Sequence, residues 1–199
     1  EFAVMPLEGD RGREPSGGGT SAHVFNSVLH HPPRPPSSVN ALVPLEFDHI
    51  VSKALEKDRD FRYQTAAELR AAHPELLVSV HQADLCDRAA CDAVLAAIEK
   101  ELGPVDILIN NAGMGDMGMY DLSRWEKVEQ MIRINVVALS YLTWRVLPGM
   151  IARRKGGILN VSSGFGLQFL PGFAGYVATK HYVTAFTETI RLEARPHGV

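Results

Sequence analysis

Tyr176 and Lys180 stand four residues apart, a spacing that puts both side chains on one face of a helix. A free tyrosine ionises near pH 10 and is a poor acid at neutrality, but an adjacent ammonium stabilises the phenolate and lowers that value. Ser163, thirteen residues before Tyr176, ends a predicted strand, and a hydroxyl at the carboxyl edge of an open parallel sheet can hold a substrate carbonyl. Asn135 falls in the apolar stripe of a predicted helix, so it should face inward and need partners. Such a set can protonate a nascent alkoxide or deprotonate an alcohol. Each residue also has a plainer reading: a solvated helix face for the Tyr–Lys pair, a turn for Ser163 and a core amide for Asn135.

The elements that must position these residues alternate. Leu76 to Gln82 reads as a buried strand. Asp87 to Leu102 reads as a helix with Val94, Leu95, Ile98 and Leu102 on one face, closed by Gly103-Pro104. Val105 to Asn110 is the next strand, and Ser123-Arg124-Trp125-Glu126 is a capping box for a helix whose stripe runs through Val128, Ile132, Val136 and Leu139. Gly157 to Ser162 is a third strand and Tyr176 to Ala194 a last helix. Strand–helix alternation implies a parallel sheet covered on both faces. Earlier, Leu45 begins a helical stripe and Thr65-Ala66-Ala67-Glu68 is a second capping box. Residues 1 to about 44 are rich in Gly, Pro, Ser and His and are expected to hold no regular helix or strand. The run from Pro32 to Pro36 could serve as a polyproline ligand or simply as a connection.

Composition narrows the function classes. The 199 residues are 46% hydrophobic and 22% charged, with a net charge of −3, a balance typical of a globular chain that gives no electrostatic reason to bind nucleic acid or an anionic membrane. Cys86 and Cys91 lie five apart, outside the spacing of zinc and redox pairs, so no metal site and a reducing, cytoplasmic setting are expected. No stretch reads as a targeting sequence or as some 18 consecutive apolar residues. Gly113-Met114-Gly115-Asp116-Met117-Gly118 fits G-x-G-x-x-G, but a phosphate cradle should open a helix and lead to an acid-terminated strand, so it is expected instead to floor the nicotinamide end of a site.

Jointly, Asn110-Asn111-Ala112-Gly113 after a strand, Asn135 in the next helix, Ser162-Ser163 closing a strand and Tyr176-Val177-Ala178-Thr179-Lys180 resemble the short-chain dehydrogenase/reductase family over about residues 67–199. The resemblance implies an incomplete Rossmann-like, doubly wound parallel α/β sheet and hydride transfer between NAD(P), form unspecified, and a small carbonyl or secondary alcohol. Asn135, Ser163, Tyr176 and Lys180 would be catalytic: Tyr176 donating the proton, Ser163 orienting the oxygen, Lys180 tuning Tyr176 and holding the ribose, Asn135 holding a water. Asp84, Leu85, Asn110, Ala112, Gly113, Tyr176 and Lys180 would contact the cofactor. Family members often assemble, so a homo-oligomer is implied for a complete fold.

The family's opening strand and T-G-x-x-x-G-I-G turn do not occur in this sequence. Instead, Gly18-Gly19-Thr20-Ser21-Ala22, the proline run and Ile50 to Arg70, with Lys57-Asp58-Arg59-Asp60-Phe61-Arg62 at its centre, resemble the carboxyl end of a bacterial serine/threonine protein kinase domain over about residues 12–70. No catalytic H-R-D or metal-binding D-F-G accompanies it, and Arg62 would lack its family partner. These likenesses divide the chain into a small irregular and helical segment, 1–66, and a partial reductase domain, 67–199. Ala66 to Ala71 suits either family, so the chain reads as a chimera, natural or an assembly artefact, with a true two-domain fusion as the plainer alternative. Without two strands beside 76–82 the isolated chain is expected to bind cofactor weakly or not at all, to be inactive alone and to be marginally stable, and a noncatalytic scaffold without cofactor binding is the competing reading.

Overall fold

A computed structural model of the chain describes residues 30–32, 34–39, 45–74 and 77–199. The expectations for residues 1–29, including the glycine run, lie outside them. The chain divides into two compact units, 1–80 and 81–199.

In the first unit a single helical turn, α1 (Pro36–Val39), stands where a loop was expected. Proline is tolerated at the first helical position because the N–H it lacks has no partner there. Ser37 N donates to Asp48 Oδ1 at 2.9 Å, tying α1 to α2 (Leu45–Ala54). Asp58 opens a 3₁₀ turn, Arg59–Phe61, and α3 (Ala66–Ala72) begins at the expected cap. Thr65 Oγ1 accepts from Glu68 N at 3.1 Å, while the Glu68 carboxylate reaches back one residue further than foreseen, to Gln64 N at 2.8 Å. Arg62 is not without a partner: its Nε donates to Glu56 O at 2.7 Å.

The second unit carries the sheet. Strands β1 (Ile107–Asn110) and β2 (Gly157–Asn160) pair in parallel, with Leu108 opposite Ile158 and Asn110 opposite Asn160. Before β1 lies α4 (Arg88–Leu102). Asp87 caps its start by accepting from Ala89 N, and Gly103 stops it at φ 88°, a conformation that costs glycine nothing. Between the strands, α5 (Trp125–Ile132), a π-helical turn at Arg133–Ala138 and α6 (Leu139–Arg153) run on without a break. After β2 comes α7 (Ala174–Ala194).

One face of the sheet is packed. Leu108 and Ile158 lie with Val105 and Leu142 against Leu95, Val146 and Met150, a cluster shared by α4, α6 and the sheet. The other face departs from the expectation of a sheet covered on both sides, since Ile107 is 69% and Ile109 57% exposed. The strand expected over 76–82 is not seen in its described part: residues 77–82 form neither helix nor strand, with Leu77 and Val80 exposed. A strand exists only through its ladder to a neighbour, and among the described residues the sheet has two strands.

The expected capping box at Ser123 is not made either. Ser123 Oγ donates to Met119 O, and Arg124 occupies the cap without a side-chain bond. The helical run Trp125–Arg153 is long and apolar enough to cross a membrane by length and composition, which residue-by-residue reading had not anticipated. Its buried positions, among them Val128, Met131, Asn135, Thr143 and Met150, include polar groups bonded into the unit's interior, while Trp125, Val137 and Trp144 are exposed.

Polar side chains join the layers. Asn110 Nδ2 donates to Asn160 Oδ1 at 2.8 Å and to Thr143 Oγ1 at 3.1 Å, and Asn160 Nδ2 donates to Thr187 Oγ1 at 3.0 Å. Two strands and two helices thus meet on one pair of carboxamides. Asn110→Ala should lower stability by about 1–3 kcal/mol, the cost of stranding buried polar partners, as read by urea denaturation. At the surface, hydrogen bonds from Arg145 and then Tyr141 hold the Asp92 carboxyl below its ordinary value. This α4–α6 tie therefore stabilises above the unfolded carboxylate value near 3.9 and is lost as pH falls through the lower folded value. Asp92→Asn should make the acid limb of the stability profile shallower.

Candidate active site

The two carboxyl ends of the parallel strands open on the same side, and the chain that leaves β1 is held there by Asn135. Its Oδ1 accepts from Met114 N at 2.9 Å and its Nδ2 donates to Met114 O at 2.8 Å, so one side chain grips both polar groups of one peptide residue. The second N–H of Asn135 goes to Thr179 Oγ1 at 3.0 Å. Asn135 is 1% exposed and sits within the π turn, an insertion that often accompanies functional positions. Both amide protons are engaged, so one lone pair of Oδ1 is left for a water. The π turn was not legible in the sequence, and neither was Thr179, although it lies inside the Tyr176–Lys180 word.

Tyr176 and Lys180 lie one turn apart on α7, as their spacing requires, with Lys180 Nζ 5.8 Å from the phenol ring centre. Lys180 is 6% exposed, and burial pushes its ammonium below the usual lysine range. One of its three protons goes to Val161 O at 2.8 Å, and Val161 N in turn donates to Asn110 O at 3.0 Å. The lysine is thereby anchored to the end of the sheet.

Glycines let the loops approach. A Cβ on Gly113 would lie 3.2 Å from Asn135 Oδ1 and 3.5 Å from Lys180 Nζ, and one on Gly115 would lie 3.3 Å from the Tyr176 ring. The loop after β1 therefore runs directly across the Tyr–Lys pair. A Cβ on Gly166 would meet Ser162 Oγ at 2.5 Å, Thr184 Oγ1 at 2.7 Å and the Lys180 carbonyl at 2.8 Å, so the loop after β2 lies against α7.

Ser162 and Ser163 divide as strand alternation predicts. Ser162 Oγ donates to Lys180 O at 3.1 Å and meets Thr184 Oγ1. Ser163 Oγ accepts from Phe165 N at 3.3 Å, opening a 3₁₀ turn at Gly164–Gly166. Its hydroxyl proton remains to donate. Phe165 then touches Tyr176 edge-on, ring centres 5.9 Å apart, and this ring connects the serine turn to the phenol.

The structure thus gathers Gly113, Asn135, Tyr176 and Lys180 in one neighbourhood and reaches Ser163 through Phe165. Ala112 is exposed beside them. Asn110 turns its side chain into the helix packing and offers its carbonyl to Val161. Asp84 and Leu85 lie in the turn before α4, where Asp84 Oδ1 accepts from Cys86 N at 2.9 Å and Leu85 O meets the Cys91 thiol. Among the described residues no hydrogen bond links this turn to the Tyr176 group.

Comparison with known proteins places this geometry among relatives. A family model described as short chain dehydrogenase matches residues 44–199, beginning ahead of the junction near 66 expected from sequence. The chain is 37% identical over 123 residues to nodulation protein G of Azospirillum brasilense, covering 60% of this chain and 49% of the relative. A short-chain dehydrogenase from Sphingobium yanoikuyae in complex with NADPH matches with TM-score 0.61 and 34% identity, over 67% of this chain and 52% of that one. A 4-hydroxyisoleucine dehydrogenase complexed with NADH matches with TM-score 0.57 and 28% identity, over 61% and 50%. The chain spans about half the length of the curated relatives it matches.

Gly166→Ala should lower stability by about 1–3 kcal/mol, because backbone and two hydroxyls must move to admit a methyl group. Gly164→Ala, which would meet nothing within 4 Å, should leave the urea midpoint close to that of the parent.

Proposed function

The chain belongs to the short-chain dehydrogenase/reductase family, and on that premise we propose that it transfers hydride between a nicotinamide dinucleotide and a small carbonyl or secondary alcohol. The observation that carries this reading is the Tyr176–Lys180 pair fixed at the carboxyl edge of the parallel strands, with Lys180 Nζ bonded to Val161 O and 5.8 Å from the phenol ring centre.

The residues present suit a nicotinamide nucleotide. The backbone from Ala112 to Gly115 approaches Tyr176 and Lys180 as closely as glycine permits, and two of the three Lys180 protons are not needed by Val161, so they can serve ribose hydroxyls. When bound, such a cofactor supplies or accepts the hydride. Tyr176 donates its phenolic proton to the oxygen that gains charge during reduction and takes a proton back from the alcohol during oxidation. Ser163, already an acceptor from Phe165 N, directs its own proton to that oxygen. Lys180 places positive charge where the phenol oxygen becomes negative, and Asn135 holds the loop that lies over both. Asp84 and Leu85 would meet the adenine end.

Affinity is expected to be low in the chain as described, because among the described residues β1 has a neighbouring strand on one edge only and a cofactor crevice needs a strand on each side of the switch point. Cytoplasmic location is proposed from the cysteine usage alone, and self-association remains an expectation of the family. For residues 12–70 we retain the reading of a kinase carboxyl-terminal remnant, supported by the run from Ile50 to Arg70. Sequencing one uninterrupted source molecule across codons 60 to 80 tests whether the two stretches were joined in nature.

Thermal unfolding with NADH or NADPH at millimolar concentration tests the function. Protection should appear with at least one of them, persist in Tyr176→Phe and disappear in Lys180→Met. Carbonyl reduction should fall at least 10²-fold in Tyr176→Phe, the usual range for loss of a general acid. Absence of protection by either nucleotide would favour the scaffold reading, and undiminished turnover in Tyr176→Phe would remove the phenol from the chemistry.

A further inference from the structure

The rings around Tyr176 bear on which carbonyl compound the site takes. Phe165 stacks on Phe173 with ring centres 5.0 Å apart and planes at 16°, and the same Phe165 meets Tyr176 edge-on at 5.9 Å. Local geometry fixes both phenylalanines. Phe165 is the middle residue of the turn capped by Ser163, and the approach of Gly166 to α7 holds that turn down. Phe173 precedes α7 and accepts from Val177 N at 2.8 Å through its carbonyl, while Gly172 O accepts from Gly118 N of the loop after β1 at 2.8 Å.

Both rings are only partly buried, so the stack keeps an accessible side. Further along the same segment, Leu167 is 71%, Phe169 85% and Leu170 46% exposed, and Phe169 lies parallel to His181 at 4.8 Å. Exposed apolar side chains concentrated on one segment mark a binding surface. A phenyl face offered beside a proton donor favours a flat apolar substituent, because offset stacking and edge contacts add to simple burial for aromatic partners and not for puckered ones.

Resting on the hydride-transfer reading given above, we propose that Phe165 and Phe173 form a specificity wall that selects aryl or conjugated ketones over saturated ones. Phe165 is the central element, since among the described residues it is the ring that meets both Phe173 and the phenol.

Ligand-observed saturation-transfer NMR on the whole chain, comparing acetophenone with cyclohexyl methyl ketone, tests the wall without requiring turnover. Acetophenone should bind about 3- to 10-fold more tightly, the range expected from one additional aromatic contact. Phe165→Ala should bring the ratio near unity, and Phe165→Tyr should restore the preference. Should Phe165→Ala fail to fold, Phe165→Leu keeps apolar bulk without the ring and should show the same loss. Equal binding of the two ketones by the parent chain, binding of neither, or an unchanged ratio in the folded Leu or Ala variant would overturn the proposal. Nucleotide protection, followed in the same samples, should be unaffected by these variants. A preference for acetophenone without any nucleotide protection would leave the wall standing and remove the hydride-transfer reading.

Discussion

Lys180 carries a charge that has been taken almost wholly out of water, and such a charge is tolerable only if its protons find acceptors. The Val161 carbonyl is that acceptor, and it is available only because β2 pairs with β1 through Asn160 and the next peptide follows on to Asn110 O. The position of the lysine is therefore a property of the sheet rather than of its own helix. Once α7 is held there, Tyr176 one turn earlier has little freedom, and the loops that cross it must do so without side chains of their own, as Gly113 and Gly115 do.

Asn135 performs the corresponding task for the loop after β1. A carboxamide can accept and donate at once, so a single side chain satisfies both the N–H and the carbonyl of Met114 and substitutes for a strand that the loop does not have. The π turn around Asn135 adds a residue to the helical run that the ordinary periodicity does not contain. A second carboxamide pair, Asn110 with Asn160, does similar work in the interior by linking the strands to Thr143 and Thr187. Polar groups thus organise the unit as much as the apolar cluster of Leu95, Val146 and Met150 does.

Much of this was legible before any coordinates. The helix before β1 with Leu95 on its buried face, the Gly103 stop and the existence of two paired strands follow from local pattern and turn chemistry, which act over a few residues, although the second strand ends at Asn160 rather than at the expected Ser162 and Leu102, expected on the buried stripe, is exposed. The division of labour between Ser162 and Ser163 follows from strand alternation. Local pattern failed where the outcome depends on neighbours. Leu76 to Gln82 reads as a strand, yet residues 77–82 have no ladder to join. Ser123 reads as a cap, yet its hydroxyl turns to Met119 O. Pro36 reads as a breaker, yet it begins a turn.

Sequence by itself determined the chemistry: a phenol and an amine one turn apart, a hydroxyl thirteen residues earlier and an inward amide, because residue types and helical spacing are properties of the chain alone. Tertiary structure decided what each group is bound to. It directed Asn135 to Met114 and Thr179, Lys180 to Val161, Asn110 away from the surface and Phe165 against Tyr176. Those partners lie 19 to 44 residues away in sequence for all but the last, and only the packing of helices on the strands brings such distant groups within hydrogen-bonding reach.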